Sequence, residues 1–298
     1  MRLFSARRLL VALVLVAAGC QWPAAARADF TVGPAVRQLR VAPGEAVAGS
    51  FDVRLDRERR HFVMEVQDVV QLADGGYAYR RARRSRFSAS SWLTVTPRSF
   101  HGRPDRTQPI EFRLRVPRAA EPGDHVASIT VKQAPRPGET GAVAVQAISF
   151  RLNVRVSGEV RERVDIGPIA APGLAGRGPV ELGVVVRNTG NVRLDFDRRN
   201  RGALWVGSGQ DAGARLRFRG QLYPGRARAF NLSWDDPPTL GRLTAHASVR
   251  TRAGTEIKSR SFWMVPWRQA GALLLIALAA GLAHAGRRQR VRRYVRAG

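Results

Sequence analysis

The sequence predicts an all-β chain of two tandem Ig-like antiparallel β-sandwiches, and three observations carry that prediction. Apolar and charged residues alternate with a period of two, turn signals recur between the alternating segments, and no long helical pattern appears between residues 29 and 264. Phe51, Val53 and Leu55 alternate with Asp52, Arg54 and Asp56, and the same alternation runs through Ile110 to Val116 and Phe150 to Val156. Successive strand side chains point to opposite faces, so each segment has one face to bury and one to leave in water.

The chain opens with Arg2, Arg7 and Arg8, then the apolar stretch Leu9 to Ala18, then Ala26-Arg27-Ala28 as a small-x-small cleavage site. Residues 1–28 therefore read as a secretory signal peptide. Ala17-Ala18-Gly19-Cys20 lacks the leucine of a lipoprotein box, which leaves lipidation of Cys20 as a variant, and Arg7-Arg8 lacks the rest of a twin-arginine motif. Cys20 is the single cysteine. Cleavage would leave no disulfide, no thiol nucleophile and no cysteine metal ligand.

The first module spans 29–157. Its further strands are expected at His61 to Val70, Tyr77 to Arg80, Trp92 to Thr96 and Val126 to Lys132, with turns at Pro43-Gly44, Asp74-Gly75-Gly76 and Pro122-Gly123. The second module spans 158–264. After a loop from Pro168 to Pro179, strands are expected at Val180 to Arg187, Val192 to Phe196, Ala203 to Val206, Ala214 to Arg219, Ala227 to Trp234, Leu243 to Arg250 and Glu256 to Met264. A repeat relates the modules: Phe112, Leu114, Gly123 and Val131 recur as Phe230, Leu232, Gly241 and Val249 at an offset of 118 residues.

The C-terminal segment is apolar from Ala270 to Ala285, and extension back to Val265 gives a predicted transmembrane helix over 265–285. Trp263, Trp267 and Arg268 would anchor it at the interface. Six arginines and no acid follow in a basic cytoplasmic tail, 286–298, which places the modules outside and the C-terminus inside. A buried core helix is the competing reading of the apolar run.

The formal net charge is +27, and removal of the eleven arginines of the two terminal segments leaves 27 − 11 = +16. An exterior this basic attracts anionic polymers or lipid headgroups in a salt-dependent way, whereas the exported topology argues against a nucleic-acid partner.

Pro43-Gly44-Glu45, Gly49 to Val53, Ser91-Trp92-Leu93, Pro97, Phe112 to Pro117, Ala119 to His125 and Val265-Pro266-Trp267, in this order, resemble the bacterial surface proteins with a DUF916 domain, the WxL-interacting proteins. The likeness covers residues 30–156 best. It implies a signal peptide, two Ig-like domains, one transmembrane helix and a basic tail, with a first domain that binds peptidoglycan and a second that binds a partner protein. It assigns no binding residue here.

No catalytic constellation, cofactor site or metal site emerges. His61, His101, His125, His246 and His284 lack a second ligand at metal spacing. Asp235-Asp236 and Asp195-x-Asp197 read as turn residues, and Gly207-Ser208-Gly209 lacks the spacing of a nucleophile elbow. Five arginines in seven residues, Arg80, Arg81, Arg83, Arg84 and Arg86, form the candidate contact for an anionic polymer, against a plain solvated loop. Trp92 reads as core, and Arg215, Arg217 and Arg219 as the outer face of a strand.

Together these features predict a non-enzymatic, membrane-anchored envelope protein that binds peptidoglycan or another anionic wall polymer, a surface protein, or both. The alternative is a periplasmic, pilus-chaperone-like assembly factor that acts by strand addition.

Overall fold

The computed structural model describes residues 30–55, 59–82, 85–135, 146–207, 213–267, 271, 272 and 274–284. The expected signal peptide and basic tail lie outside these residues, as do Arg83, Arg84 and Arg268.

The chain is all-β, with a short C-terminal helix. Its first ten strands are β1 (Phe30–Gly33), β2 (Val36–Val41), β3 (Ala46–Leu55), β4 (Arg60–Gln71), β5 (Tyr77–Arg81), β6 (Leu93–Thr96), β7 (Ser99–Gly102), β8 (Thr107–Arg115), β9 (Gly123–Gln133) and β10 (Ala147–Val156). They form two sheets, one in the order β1-β3-β8-β6 and one in the order β2-β10-β9-β4-β5, with β7 also on β4. The period-two alternation does what it predicts: Ile110, Phe112 and Leu114 of β8 are buried while Glu111, Arg113 and Arg115 are exposed. Between the sheets Phe51 stacks on Phe150 with centroids 4.5 Å apart, and each such ring removed from water contributes about 2 to 3 kcal/mol.

The remaining strands are β11 (Val164–Ile166), β12 (Leu174–Ala175), β13 (Val180–Asn188), β14 (Leu194–Asp195), β15 (Arg201–Val206), β16 (Ala214–Arg217), β17 (Gln221–Leu222), β18 (Ala227–Trp234), β19 (Gly241–Thr251) and β20 (Gly254–Met264). They form sheets β11-β13-β18 and β12-β20-β19-β15-β16 and the pair β14-β17, around a second core that includes Val184, Leu204, Phe230, Val249 and Phe262. The repeated residues hold equivalent places. Gly123 and Gly241 each open the strand that follows β8 or β18, both at positive φ, and Val131 and Val249 are both fully buried.

Several strands were not visible as alternation. β1, β2 and β7 are short, β11, β12 and β17 have two or three residues, and β12 lies inside the segment read as a loop. The Val192 to Phe196 strand shrinks to the two residues of β14.

The transmembrane expectation is corrected. Among the described residues no helix is long and apolar enough to cross a membrane. Strand β20 continues to Met264, and Val265 N still donates to Ala175 O at 2.8 Å, so the helix cannot begin at Val265. The apolar run from Ala270 then measures about 24 Å as a helix, short of a hydrocarbon layer of about 30 Å. Trp263 lies on β20 and not on the helix, which removes the shared headgroup level assigned to Trp263 and Trp267, although both are exposed. With the span go the single-pass topology and the localisation to the cytoplasmic membrane.

Candidate functional site

The site that the topology leaves open is one end of β10. β2 runs parallel to β10 but pairs only with Arg151 to Val156, in the register Val36↔Arg151 through Val41↔Val156. Upstream of Val36 the chain turns at Gly33-Pro34 and joins the other sheet as β1, paired with β3. Among the described residues, Ala147 to Phe150 therefore have β9 on one side and no strand on the other.

The hydrogen-bonding direction follows from strand parity. Arg151 N donates toward β2, to Ala35 O at 2.9 Å, so the N–H and C=O groups of Ser149 and Ala147 point to the same, uncovered side. The uncovered segment is about 13 Å long at a rise near 3.4 Å per residue. Ile148 and Phe150 turn inward, Phe150 fully buried and Ile148 partly buried against the core, while Ser149 Oγ lies 2.9 Å from Thr130 Oγ1 on the outer face. An added strand would meet free backbone groups in the plane and an apolar side chain at the mouth of the sandwich.

The covered end of β10 reaches the junction with the second group of strands. Here Asp124 of β9 bonds the Arg155 guanidinium, and its Oδ2 also accepts Arg193 N at 2.7 Å. Asn191 is buried and donates to Pro122 O and Glu159 O, both at 2.8 Å, while its Oδ1 accepts Arg161 N. Tyr223 packs on Val69, Val126 and Tyr77, its N–H donates to Gln71 Oε1 at 3.0 Å, and its hydroxyl donates to Asn153. Burial pushes the Tyr223 phenol pKa up. A cleft of about 400 Å³ opens beside this junction, lined in part by Gln38, Arg155, Arg193, Asp195, Arg198 and Arg199.

Of the five-arginine block, Arg80, Arg81 and Arg86 lie among the described residues. Arg80 and Arg81 are exposed on β5, whereas Arg86 is held by Glu121 through two hydrogen bonds of 2.6 Å and lies over the Phe87 ring. That ion pair raises the Arg86 pKa and lowers that of Glu121, in each case chiefly through the hydrogen bonds between them. The loop after the block is fixed from inside, because the hydroxyls of Ser88 and Ser90 both donate to the buried Asp68 carboxylate. Trp92 packs against the first core and on His125, with ring centroids 4.6 Å apart. His125 is buried, its Nε2 is 2.8 Å from Glu121 O, and burial lowers its pKa against the opposing pull of Glu121 and Asp124. Asp195 and Asp197 take turn roles, accepting backbone N–H groups from Asp197 and Gly220. No group of three metal-binding side chains occurs among the described residues.

Sequence reasoning found β10 from Phe150 onward and missed both its first three residues and β2. The available signal for β2 was the three-residue alternation Leu39-Arg40-Val41, which the adjacent polar pair Arg37-Gln38 interrupts on its N-terminal side.

No protein-family model and no curated protein matches the chain. Among solved structures it is similar to a chain from a chaperone–tip adhesin complex of CFA/I fimbriae biogenesis (11% identity, 78% of this chain and 99% of that one, TM-score 0.45). It is also similar to the class 5 fimbriae chaperone CfaA (10%, 78% and 99%, 0.44) and to the E. coli chaperone DraB (15%, 78% and 96%, 0.38). All three descriptions name a chaperone, and the first two name fimbriae. The expected membrane-anchored, wall-binding protein is corrected, because among the described residues no helix is long and apolar enough to cross a membrane.

Proposed function

We propose that this chain is a non-enzymatic, pilus-chaperone-like assembly factor of the periplasm that holds a partner protein by strand addition, built from two Ig-like sandwiches at 29–157 and 158–264. The observation that carries this reading is the uncovered side of Ala147 to Phe150 in β10. An open edge bordered by a buried core is an unstable arrangement in isolation, and an extended segment of another chain satisfies both its backbone groups and its apolar mouth. Two of the other sheet edges are less suited to this role. β6 is a four-residue strand that ends at Pro97, and β5 ends in Arg80-Arg81, so both of those edges are blunted.

The test is an array of nine-residue peptides with apolar residues at alternate positions, screened against the full chain and followed by amide hydrogen exchange on the bound complex. Binding should protect the amides of Ala147 and Ser149 and should be abolished by Ser149→Pro, which removes one donor from the open side. Bound peptides that leave both amides exchanging freely, or that bind the proline variant equally well, would exclude this edge as the contact.

A further inference from the structure

A second feature, independent of the β10 edge, lies on the outer face of the β12-β20-β19-β15-β16 sheet. A basin of about 560 Å³ has Ala203 and Ser248 on its floor and Arg201, Arg215, Arg217, Arg219 and Arg250 around it. The register explains the shape. Ala203 of β15 stands between Arg217 of β16 and Ser248 of β19, and Arg201 stands directly opposite Arg250 one step along the same face. Small side chains make the floor and long cationic ones the walls. With strands about 4.8 Å apart and a rise near 3.4 Å per residue, the Arg201, Arg217 and Arg250 stems arise within roughly 12 Å of each other.

All five arginines are exposed, and none makes an ion pair among the described residues. Arg250 has one weak contact, Nε to Thr255 Oγ1 at 3.4 Å. Arg215 is held over the Trp205 ring at 5.8 Å, and Trp205 in turn stacks on His246. The one acid at the rim, Asp197, already accepts the Gly220 N–H through Oδ2.

A charged edge strand that resists self-pairing accounts for Arg215 and Arg217 on β16. It does not account for Arg201 and Arg250, which sit on the inner strands β15 and β19 of that sheet. Like charges directly opposite one another in an antiparallel pair are destabilising, and a sequence that keeps them against that local rule points to a site. We infer that this basin binds a compact anion bearing two or more phosphate or carboxylate groups, with Arg201, Arg217 and Arg250 as its principal contacts. Guanidinium forks match both kinds of group, and a basin of this volume suits a small ligand.

The experiment is calorimetric titration of the full chain with tripolyphosphate, orthophosphate and citrate at low salt. Tripolyphosphate is expected to bind at one site per chain at least tenfold more tightly than orthophosphate, and a rise to ~0.3 M salt should weaken it severalfold by screening. Citrate that binds like tripolyphosphate marks a site that takes carboxylates as well; citrate that does not marks a phosphate site. The Arg201→Ser/Arg250→Ser variant should lose at least tenfold in affinity, with an unfolding midpoint equal to or above the parent's because the opposed charges are gone. Arg113→Ser/Arg115→Ser, on the exposed face of β8, serves as the charge-matched control and should keep the binding. Equal losses in the two variants, or tripolyphosphate binding at many weak sites, would reduce the basin to general surface charge and overturn the inference. If the first variant fails to fold, Arg201→Lys/Arg250→Lys keeps the charge and removes the fork, and unchanged affinity in it would overturn the bidentate contact.

Discussion

Asp124 and Arg155 face each other across the β9–β10 pair, and the carboxylate of Asp124 bonds both the Arg155 guanidinium and the backbone N–H of Arg193. One side chain thereby joins the strand that carries the open edge to the second group of strands. The pairing raises the Arg155 pKa, first through the hydrogen bond. Asp124→Asn removes the charge and one acceptor, and it should lower unfolding free energy by about 1 to 3 kcal/mol in urea titration. The pair is partly exposed, which keeps the cost below that of breaking a fully buried one. An unchanged midpoint would mean that water replaces the carboxylate at Arg193.

Tyr223 is expected to couple the two cores. Its ring is buried among Val69, Val126 and Tyr77, and its hydroxyl reaches Asn153 at 3.0 Å. Tyr223→Phe should cost about 0.5 to 1.5 kcal/mol, the value of one hydrogen bond. Tyr223→Ala removes the packing as well, and calorimetry should then show two separate transitions in place of one. A single sharp transition in the alanine variant would show that two backbone bonds between the halves, Asp124 N–H to Asn191 O at 2.7 Å and Ala229 N–H to Ala73 O at 2.8 Å, couple them without it.

The pH dependence turns on His125. Burial lowers its pKa in the folded chain, so below about pH 6.5 the unfolded chain takes up more protons than the folded one, and stability falls as the pH falls through this range. The fall from this group cannot exceed about 1.4 kcal/mol per pH unit. Unfolding measured between pH 7.5 and 5 should show that slope in the parent and a shallower one in His125→Phe. Glu121 acts with the same sign at lower pH: the hydrogen bonds from Arg86 hold its pKa below the ordinary carboxylate range, so the stability it contributes is lost as the pH falls through that range.

The repeat-related glycines should differ in tolerance. Both have φ values that side chains rarely adopt, 126° at Gly123 and 139° at Gly241, so alanine at either should cost about 1 to 3 kcal/mol. At Gly241 the added Cβ meets nothing within 4 Å, whereas at Gly123 it would lie 2.1 Å from Asn191 O. Gly123→Ala should therefore be the more destabilising by at least about 1 kcal/mol in denaturant titration. Equal costs would show that the junction can shift to admit the methyl group.

Period-two alternation was enough to mark β3, β8, β10 and their counterparts, because a strand with one buried face writes its geometry into every second residue. The offset of 118 residues likewise announced that Gly123 and Gly241 do the same work at the start of β9 and β19. The apolar C-terminal run looked like a membrane span because hydropathy registers composition and not where a strand ends. Val265 belongs to the backbone bonding of β20 and β12, a contact between residues 90 positions apart in sequence. The open side of β10 was equally invisible, for an edge is the absence of a neighbour, set by where β2 crosses from one sheet to the other. The arginines that lie far apart in sequence, Arg201, Arg217 and Arg250, meet only because β15 pairs with β16 on one side and β19 on the other. Local patterns fix which face of a strand is buried; which strands stand side by side, and which edge is left uncovered, depends on pairings between distant segments that only the folded chain brings together.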